Sequence, residues 1–117
     1  MLASREQLLD AAVRVIAEQG PGATMEEIAA AATVTKPILY RTVGDRAALV
    51  NALSEAMIDR ISTAIGDALT GHTQPREQFE AAVRGYLSAV DADRNLFLFV
   101  NAGRQETNEL RRLVDRS

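Results

Sequence analysis

The side chains best suited to do chemistry cluster in one short segment, residues 33–46. This segment holds Lys36, Arg41 and Arg46 against a single acid, Asp45, so its local net charge is +2. Threonine and tyrosine hydroxyls lie between these cations in the sequence. Cationic and hydroxyl groups donate hydrogen bonds to phosphate oxygens and to base edges of nucleic acids. The segment is therefore a candidate contact for duplex DNA.

The rest of the composition argues against other kinds of site. The 117 residues include no cysteine and only one histidine, His72, which excludes thiolate metal sites and a cysteine nucleophile. His72 is expected to be solvated. Thirteen Lys and Arg against sixteen Asp and Glu give a net charge of −3, which argues against a polybasic binder but allows a local basic patch.

Carboxylate pairs occur, but their spacing does not bring two carboxylates together in a cleft. Adjacent acids such as Glu26 and Glu27 diverge by about 100° around a helix. Glu77 and Glu80, beside Pro75, are typical of a first helical turn. No glycine-rich phosphate loop and no nucleophile–base pair is present. We therefore expect no enzymatic activity, no cofactor and no metal.

The hydropathy of the chain predicts a cytoplasmic location. Its longest nearly uncharged stretch is far too short to cross a membrane, so no membrane association is expected. The first six residues lack the basic leader and apolar core of a signal peptide.

Apolar residues recur at intervals of three and four along almost the whole chain, which predicts an all-α fold. The expected N-terminal caps are Ser4 with Gln7, Thr24 with Glu27, Thr35, and Asp45. A long fourth helix is predicted from Arg46 to about Thr70, and a fifth from Pro75. Residues 93–117 are predicted to form two shorter helices that separate near Gly103.

Residues 24–43 have the pattern of a helix-turn-helix: a capped helix, a tight turn and a second capped helix. Leu39 and Val43 are four residues apart, and we expect both to bury against Ile28 and the first helix. The polar residues of the second helix would then be free to face outward.

Lys36 and Tyr40 are also four residues apart and share a face of this second helix. In DNA-binding versions of the motif, the N-terminal residues of the second helix reach base edges in the major groove. Ile38 either meets a thymine methyl group there or packs internally.

Five short motifs follow one another in the first half of the chain. They are QLLDAA at residues 7–12, GPGAT at 20–24, IAAAA at 28–32, TKPILYR at 35–41 and GDRAAL at 44–49. In this order and spacing they resemble the TetR family of bacterial transcriptional regulators over residues 5–53. The agreement of several separated motifs is more specific than a helix-turn-helix spacing alone.

The resemblance implies a set of DNA-contacting residues: Thr24, Thr35, Lys36, Pro37, Tyr40, Arg41 and Arg46. In the family, the positions of Thr24 and Tyr40 meet phosphates, and the position of Arg46 commonly holds a phosphate-binding lysine. Plainer roles stand beside these. Thr35 is first of all a helix cap, Lys36 could be an ordinary solvated lysine, and Tyr40 could be a core tyrosine with an exposed hydroxyl.

Three positions depart from the family pattern. Thr33 stands where the family favours glycine, and this residue is strained if its φ is positive. Val43 replaces a phenylalanine, which shrinks the small core, and Thr42 replaces an aromatic residue or histidine. These departures bear on packing more than on DNA binding.

The predicted domains are a helix-turn-helix head, residues 1–45, and an incomplete helical layer for ligand binding and dimerisation, residues 46–117. Candidate ligand-binding residues are Met57, Ile61, Phe79, Val83, Tyr86, Phe97 and Phe99. Apolar residues at helical spacing are more often core, so packing is the stronger interpretation. Residues 96–100 are apolar on every face and form either a buried helix or a surface for further helices.

The resemblance implies a TetR-like DNA-binding transcriptional regulator, a ligand-responsive repressor that binds a pseudo-palindromic operator as a homodimer. It also implies duplex DNA and an unknown small-molecule effector as partners, with effector binding tilting the long helix and changing the spacing between heads. One alternative is a protein-interaction module with a purely structural helix-turn-helix, in which Lys36 and Arg41 would be buried or paired with acids. Another is a truncated regulator without a working sensor.

Overall fold

The structure is a computed structural model that describes residues 3–116, apart from the side chain of Thr107. The regular elements of this range are all helices, which confirms the predicted all-α fold. They are α1 (Arg5–Gln19), α2 (Met25–Ala31), α3 (Lys36–Val43), α4 (Arg46–Leu69), α5 (Pro75–Ala92) and α6 (Arg94–Arg116).

The predicted N-terminal caps are formed at the first four helices. In each, a side-chain oxygen accepts a hydrogen bond from the backbone N–H three residues later; the capping residues are Ser4, Thr24, Thr35 and Asp45. Gln7 and Glu27 complete capping boxes by accepting from the N-cap N–H groups over 2.8 Å and 3.0 Å. These bonds set where each helix of the head begins.

The prediction of two short helices after residue 93 is wrong, because α6 runs without a break through Gly103. A glycine inside a helix costs only about 1 kcal/mol relative to alanine. Here its missing side chain also lets α6 approach Val50, since a Cβ at Gly103 would lie 2.6 Å from Val50 Cγ2. Close packing on α4 therefore accounts for a glycine that the sequence pattern presented as a break.

The core is one cluster that continues from the head into α4 and α6. Its largest fully buried side chains are Leu8, Ile16, Ile28, Leu39, Leu49, Leu53 and Phe99. Helix α4 contributes to the packing of α1 and of α6, so it is shared between the head and the layer behind it.

Polar contacts join α6 to its neighbours near the start of the helix. Arg60 of α4 forms an ion pair with Asp93 at 2.7 Å, and Asn95 Nδ2 donates to the carbonyl of Ala17 in α1 over 2.9 Å. Since Asp93 lies beside Arg60 while Gly103 lies beside Val50, α6 runs antiparallel to α4. The first half of α6 therefore rests on both α1 and α4.

Helix α5 packs on the second half of α4 through small residues. Ala81, Gly85 and Ala89 are its buried positions. A Cβ at Gly85 would lie 2.9 Å from the carbonyl oxygen of Ala64. The opposite face of α5 remains exposed, including Phe79, whose relative exposure is 71%.

Candidate DNA-binding surface

The turn between α2 and α3 is held by two backbone hydrogen bonds. Val34 N donates to the carbonyl of Ala29, and Thr33 N donates to that of Ala30. This is the bonding pattern of a Schellman motif, which requires a left-handed residue after the C-cap. Thr33 occupies that position with a φ of 57°. The condition for strain at Thr33 is therefore met, and the strain falls on a β-branched residue where glycine would carry none.

One face of α3 is buried, as predicted. Leu39 and Val43 belong to the core cluster together with Ile28 of α2. Ile38 is half-buried, and it is not among the side chains that pack against this cluster. The burial of this face determines which residues of α3 point outward.

The outward face of α3 carries five of the predicted DNA-contacting residues: Thr35, Lys36, Pro37, Tyr40 and Arg41, all of which are exposed. The Tyr40 side chain is partly packed, with a relative exposure of 40%. Arg41 forms no ion pair with any residue that the structure describes. The surface thus offers a hydroxyl, an ammonium and a guanidinium along one side of a short helix.

Thr24 opens α2, next to this surface. Its hydroxyl accepts from the backbone N–H of Glu27 and also donates to Glu27 Oε1 over 2.9 Å. The exposed start of α2 therefore has its hydroxyl already oriented by the capping box. The only hydroxyl proton of Thr24 is thus donated to Glu27, and the phosphate contact predicted at Thr24 remains a prediction.

An ion pair joins the starts of α2 and α3. Lys36 Nζ lies 2.7 Å from Glu26 Oε1, and the two side chains are 46% and 64% exposed. The hydrogen bond that Lys36 donates, reinforced by the charge of Lys36, lowers the pKa of Glu26. Donating the same bond to Glu26 raises the pKa of Lys36. Both groups remain charged in the exposed pair at neutral pH.

Reasoning from the sequence missed this pair, because it compared Glu26 only with its neighbour Glu27. The alternative of a structural helix-turn-helix expected acids to pair with Lys36 and Arg41. Lys36 meets that expectation and Arg41 does not. The only signal in the sequence was an acid in the first turn of one helix and a base in the first turn of the next.

Arg46 is less free than its position in the sequence indicated. It is half-buried, and its Nη1 donates to the carbonyl of Ala23 over 3.3 Å. Its guanidinium also lies over the ring of Phe99, 5.0 Å from the centroid. Arg46 therefore bridges the turn before α2 and helix α6, and its predicted phosphate contact remains a prediction.

The candidate ligand-binding residues do not line one shared cavity. Met57 and Phe99 are buried in the core, against which Ile61 and Phe97 also pack. Phe79, Val83 and Tyr86 lie instead on the exposed face of α5. Their role in ligand binding stays a prediction.

The part of the chain that the structure describes offers few side chains for other kinds of site. Within residues 3–116, no group of three His, Cys, Asp or Glu side chains could hold a metal ion. His72 is half-buried, and its Nδ1 lies 3.7 Å from Glu77 Oε2. No helix in this range is long and apolar enough to cross a membrane.

A capped helix-turn-helix with a polar outward face on its second helix defines the class of helix-turn-helix proteins. Comparison with known proteins gives the family. Residues 8–53 match the family model described as "Bacterial regulatory proteins, tetR family". The chain belongs to the TetR family, which is made up of transcriptional regulators, and its resemblance to that family is confirmed.

Two curated relatives match most of this chain. The HTH-type transcriptional activator FasR of Mycolicibacterium smegmatis is 33% identical over 90 residues, which are 76% of this chain and 41% of that protein. The HTH-type transcriptional regulator HbdR of Aromatoleum sp. (strain CIB) is 30% identical over 92 residues, 78% of this chain and 40% of that protein. The chain thus spans about two fifths of their length.

A solved structure agrees with the fold. A TetR-like transcriptional regulator from Rhodococcus sp. RHA1 aligns with a TM-score of 0.66 and 30% sequence identity. The alignment covers 95% of this chain and 66% of that one. The predicted arrangement, a helix-turn-helix head followed by a helical layer, is confirmed.

Proposed function

We propose that this chain binds duplex DNA through its head and regulates transcription. The observation that carries the proposal is the division of α3 into two faces. Leu39 and Val43 hold the helix to the core, which leaves Lys36, Tyr40 and Arg41 on the exposed side. Such a helix can lie in a major groove, with its N-terminal residues at base edges and its flanks at phosphates.

We propose the same DNA-contacting residues that the sequence predicted. They differ in how free each side chain is to reach DNA. The exposed residues of α3 are ready to meet DNA, whereas the hydroxyl proton of Thr24 is already donated to Glu27. Arg46 must first leave the carbonyl of Ala23 to reach a phosphate. We therefore expect Arg46 to contribute less to phosphate binding than the exposed cations of α3.

We propose that the regulator acts as a homodimer with two recognition helices in successive major grooves of a pseudo-palindromic operator. The head would comprise residues 1–45, and residues 46–117 would belong to the layer for effector binding and dimerisation. The exposed apolar side chains of α5, including Phe79 and Tyr86, would form one wall of a site for a small-molecule effector. Such a protein works in the cytoplasm and has no catalytic role.

Repression by occupancy of promoter DNA is the proposed mode of action. An effector would release the DNA only if it binds the DNA-free conformation more tightly. A reporter gene behind the operator distinguishes the modes: expression rises on deletion of a repressor and falls on deletion of an activator. FasR, one of the relatives, is named an activator.

DNA binding is tested by fluorescence anisotropy with duplexes from the promoter adjoining the gene. We expect affinity to fall steeply with salt, because each neutralised phosphate releases counterions. Arg41→Ala should weaken binding and reduce the salt slope by about 1 per bound head. Arg76→Ala is the matched control, since this guanidinium lies far along the chain on α5 and its side chain is 90% exposed.

The proposal would be contradicted if DNA affinity did not change with salt concentration. It would also be contradicted if Arg41→Ala weakened DNA binding no more than Arg76→Ala does. The alternative of a protein-interaction module predicts that outcome, and the Lys36–Glu26 pair is the observation in its favour.

Light scattering tests the dimer. A thermal-shift screen tests the sensor, because an effector that binds the folded state raises its apparent stability.

A further inference from the structure

The head is electrically balanced where it would meet DNA. Residues 24–46 hold three bases and three acids, so their net charge is zero. Of the acids, Glu27 completes the capping box and Asp45 caps α4. Glu26 lies in the first turn of α2, where an acid suits the helix N-terminus, and its carboxylate is also engaged by Lys36 of the next helix. This acid therefore makes a contact beyond its own helix.

The pair leaves Lys36 with donors to spare. A lysine ammonium has three N–H donors, and Glu26 Oε1 accepts one of them. The remaining donors can reach the two acceptors that guanine presents in the major groove, O6 and N7. Because the ion pair holds Nζ at the start of α3, less side-chain freedom is lost when a base is contacted.

The same carboxylate opposes contact with the DNA backbone. Phosphates repel Glu26, and a Lys36 that turns toward a phosphate must give up its partner. Non-specific binding depends almost wholly on such phosphate contacts. An acid beside the recognition helix therefore penalises a misplaced complex more than one in which Lys36 meets a base edge.

We propose that Glu26 is a specificity-determining residue of the head, which orients Lys36 Nζ toward a base edge with acceptors and weakens binding to DNA that lacks it. This inference rests on the proposed DNA-binding function. Glu26 acts through Lys36 and needs no contact with the DNA itself, so it is a positioning residue.

The test compares the full chain and its Glu26→Gln variant on two duplexes. One is selected by the unmodified chain from a random duplex library, and the other is a scrambled duplex of the same composition. We expect Glu26→Gln to strengthen binding to the scrambled duplex and to steepen its salt slope by about 1 per bound head. Discrimination between the duplexes should fall by about fivefold, the upper end for an exposed ion pair.

Glu18→Gln is the matched control. It makes the same chemical change in the head, on an exposed residue in the last turn of α1 that forms no ion pair with the described residues. We expect Glu18→Gln to leave discrimination unchanged. In a Lys36→Ala background, Glu26→Gln should shift the affinities for both duplexes equally.

Two results would overturn the inference while the proposed function stands: Glu26→Gln behaves like Glu18→Gln, or its loss of discrimination persists without Lys36. If the unmodified chain binds neither duplex in a salt-dependent way, the proposed function itself fails, and the inference fails with it. Circular dichroism of Glu26→Gln is expected to match that of the unmodified chain, because Thr24 and Glu27 still form the capping box of α2.

Discussion

The guanidinium of Arg46 lies over the ring of Phe99, with 5.0 Å between Cζ and the ring centroid. Arg46 is the first residue of α4, and Phe99 is a fully buried residue of α6. The same arginine donates to the carbonyl of Ala23, one residue before the cap of α2. A single side chain thus ties the start of the helix-turn-helix to the helical layer behind it.

The first prediction concerns this contact. Phe99→Leu should lower the free energy of unfolding by about 1.5 kcal/mol, because a smaller side chain leaves part of a buried site unfilled. Arg46→Met should lower the free energy of unfolding by less than Phe99→Leu does. The two changes together should show a coupling of about 0.5–1 kcal/mol from the lost cation–π contact. Urea unfolding of the four proteins measures the coupling, and strictly additive effects would show that the contact contributes nothing.

The second prediction concerns the turn of the helix-turn-helix. Thr33→Gly should raise the free energy of unfolding by about 0.5–1 kcal/mol, since relief of the left-handed conformation outweighs the added freedom of the unfolded chain. Thr63→Gly is the control, because Thr63 is an exposed residue inside α4. There the same change should destabilise by about 0.5 kcal/mol. Changes in the free energy of unfolding that have the same sign at both positions would refute the role of the positive φ.

The third prediction concerns the packing of α5 on α4. Gly85→Ala should destabilise the protein by about 1–3 kcal/mol, because the new Cβ meets the backbone carbonyl of Ala64, which cannot turn aside. Gly66→Ala adds the same methyl group where nothing lies within 4 Å. That variant should gain up to about 1 kcal/mol from helix propensity. Thermal unfolding distinguishes them, and a neutral Gly85→Ala would mean that the two helices can separate without cost.

The fourth prediction concerns pH. The lowered pKa of Glu26 means that its contribution to stability is present above 4.5 and is lost as pH falls through the pKa of the folded state. The raised pKa of Lys36 means that its contribution is present below 10.5 and is lost as pH rises through the folded pKa. The stability difference between the unmodified chain and Glu26→Gln should therefore be flat at neutral pH and shrink at both extremes.

Thermal unfolding across the pH range measures this difference. In a Lys36→Met background the dependence at high pH should disappear and the dependence at low pH should weaken, because the hydrogen bond from Lys36 is the largest cause of the lowered pKa of Glu26. A dependence at low pH of unchanged size in this background would contradict the role of Lys36.

Much of the head could be predicted from the sequence because the interactions that define it are short-range. The caps at Ser4, Thr24, Thr35 and Asp45 each need only a hydroxyl or carboxylate three residues before a backbone N–H. The burial of Leu39 and Val43 follows from helical spacing in the same way. The left-handed φ of Thr33, in contrast, is established only by the structure.

The break expected near Gly103 shows where such reasoning fails. A glycine inside a helical pattern is read locally as a stop, yet this one serves the approach of α6 to Val50. The candidate ligand-binding residues show the same limit. Their apolar type and helical spacing made them candidates, but the spacing could not distinguish the buried Phe99 from the exposed Phe79.

The sequence by itself therefore determined the helices of the head, the turn between α2 and α3, and the face that α3 presents to solvent. Periodicity and capping chemistry act over only a few residues. The tertiary structure alone decided the partners of the charged side chains: Lys36 with Glu26, and Arg46 with Ala23 and Phe99. These partners lie on different helices, so their distances depend on how the helices pack, and that packing is set by the shared core.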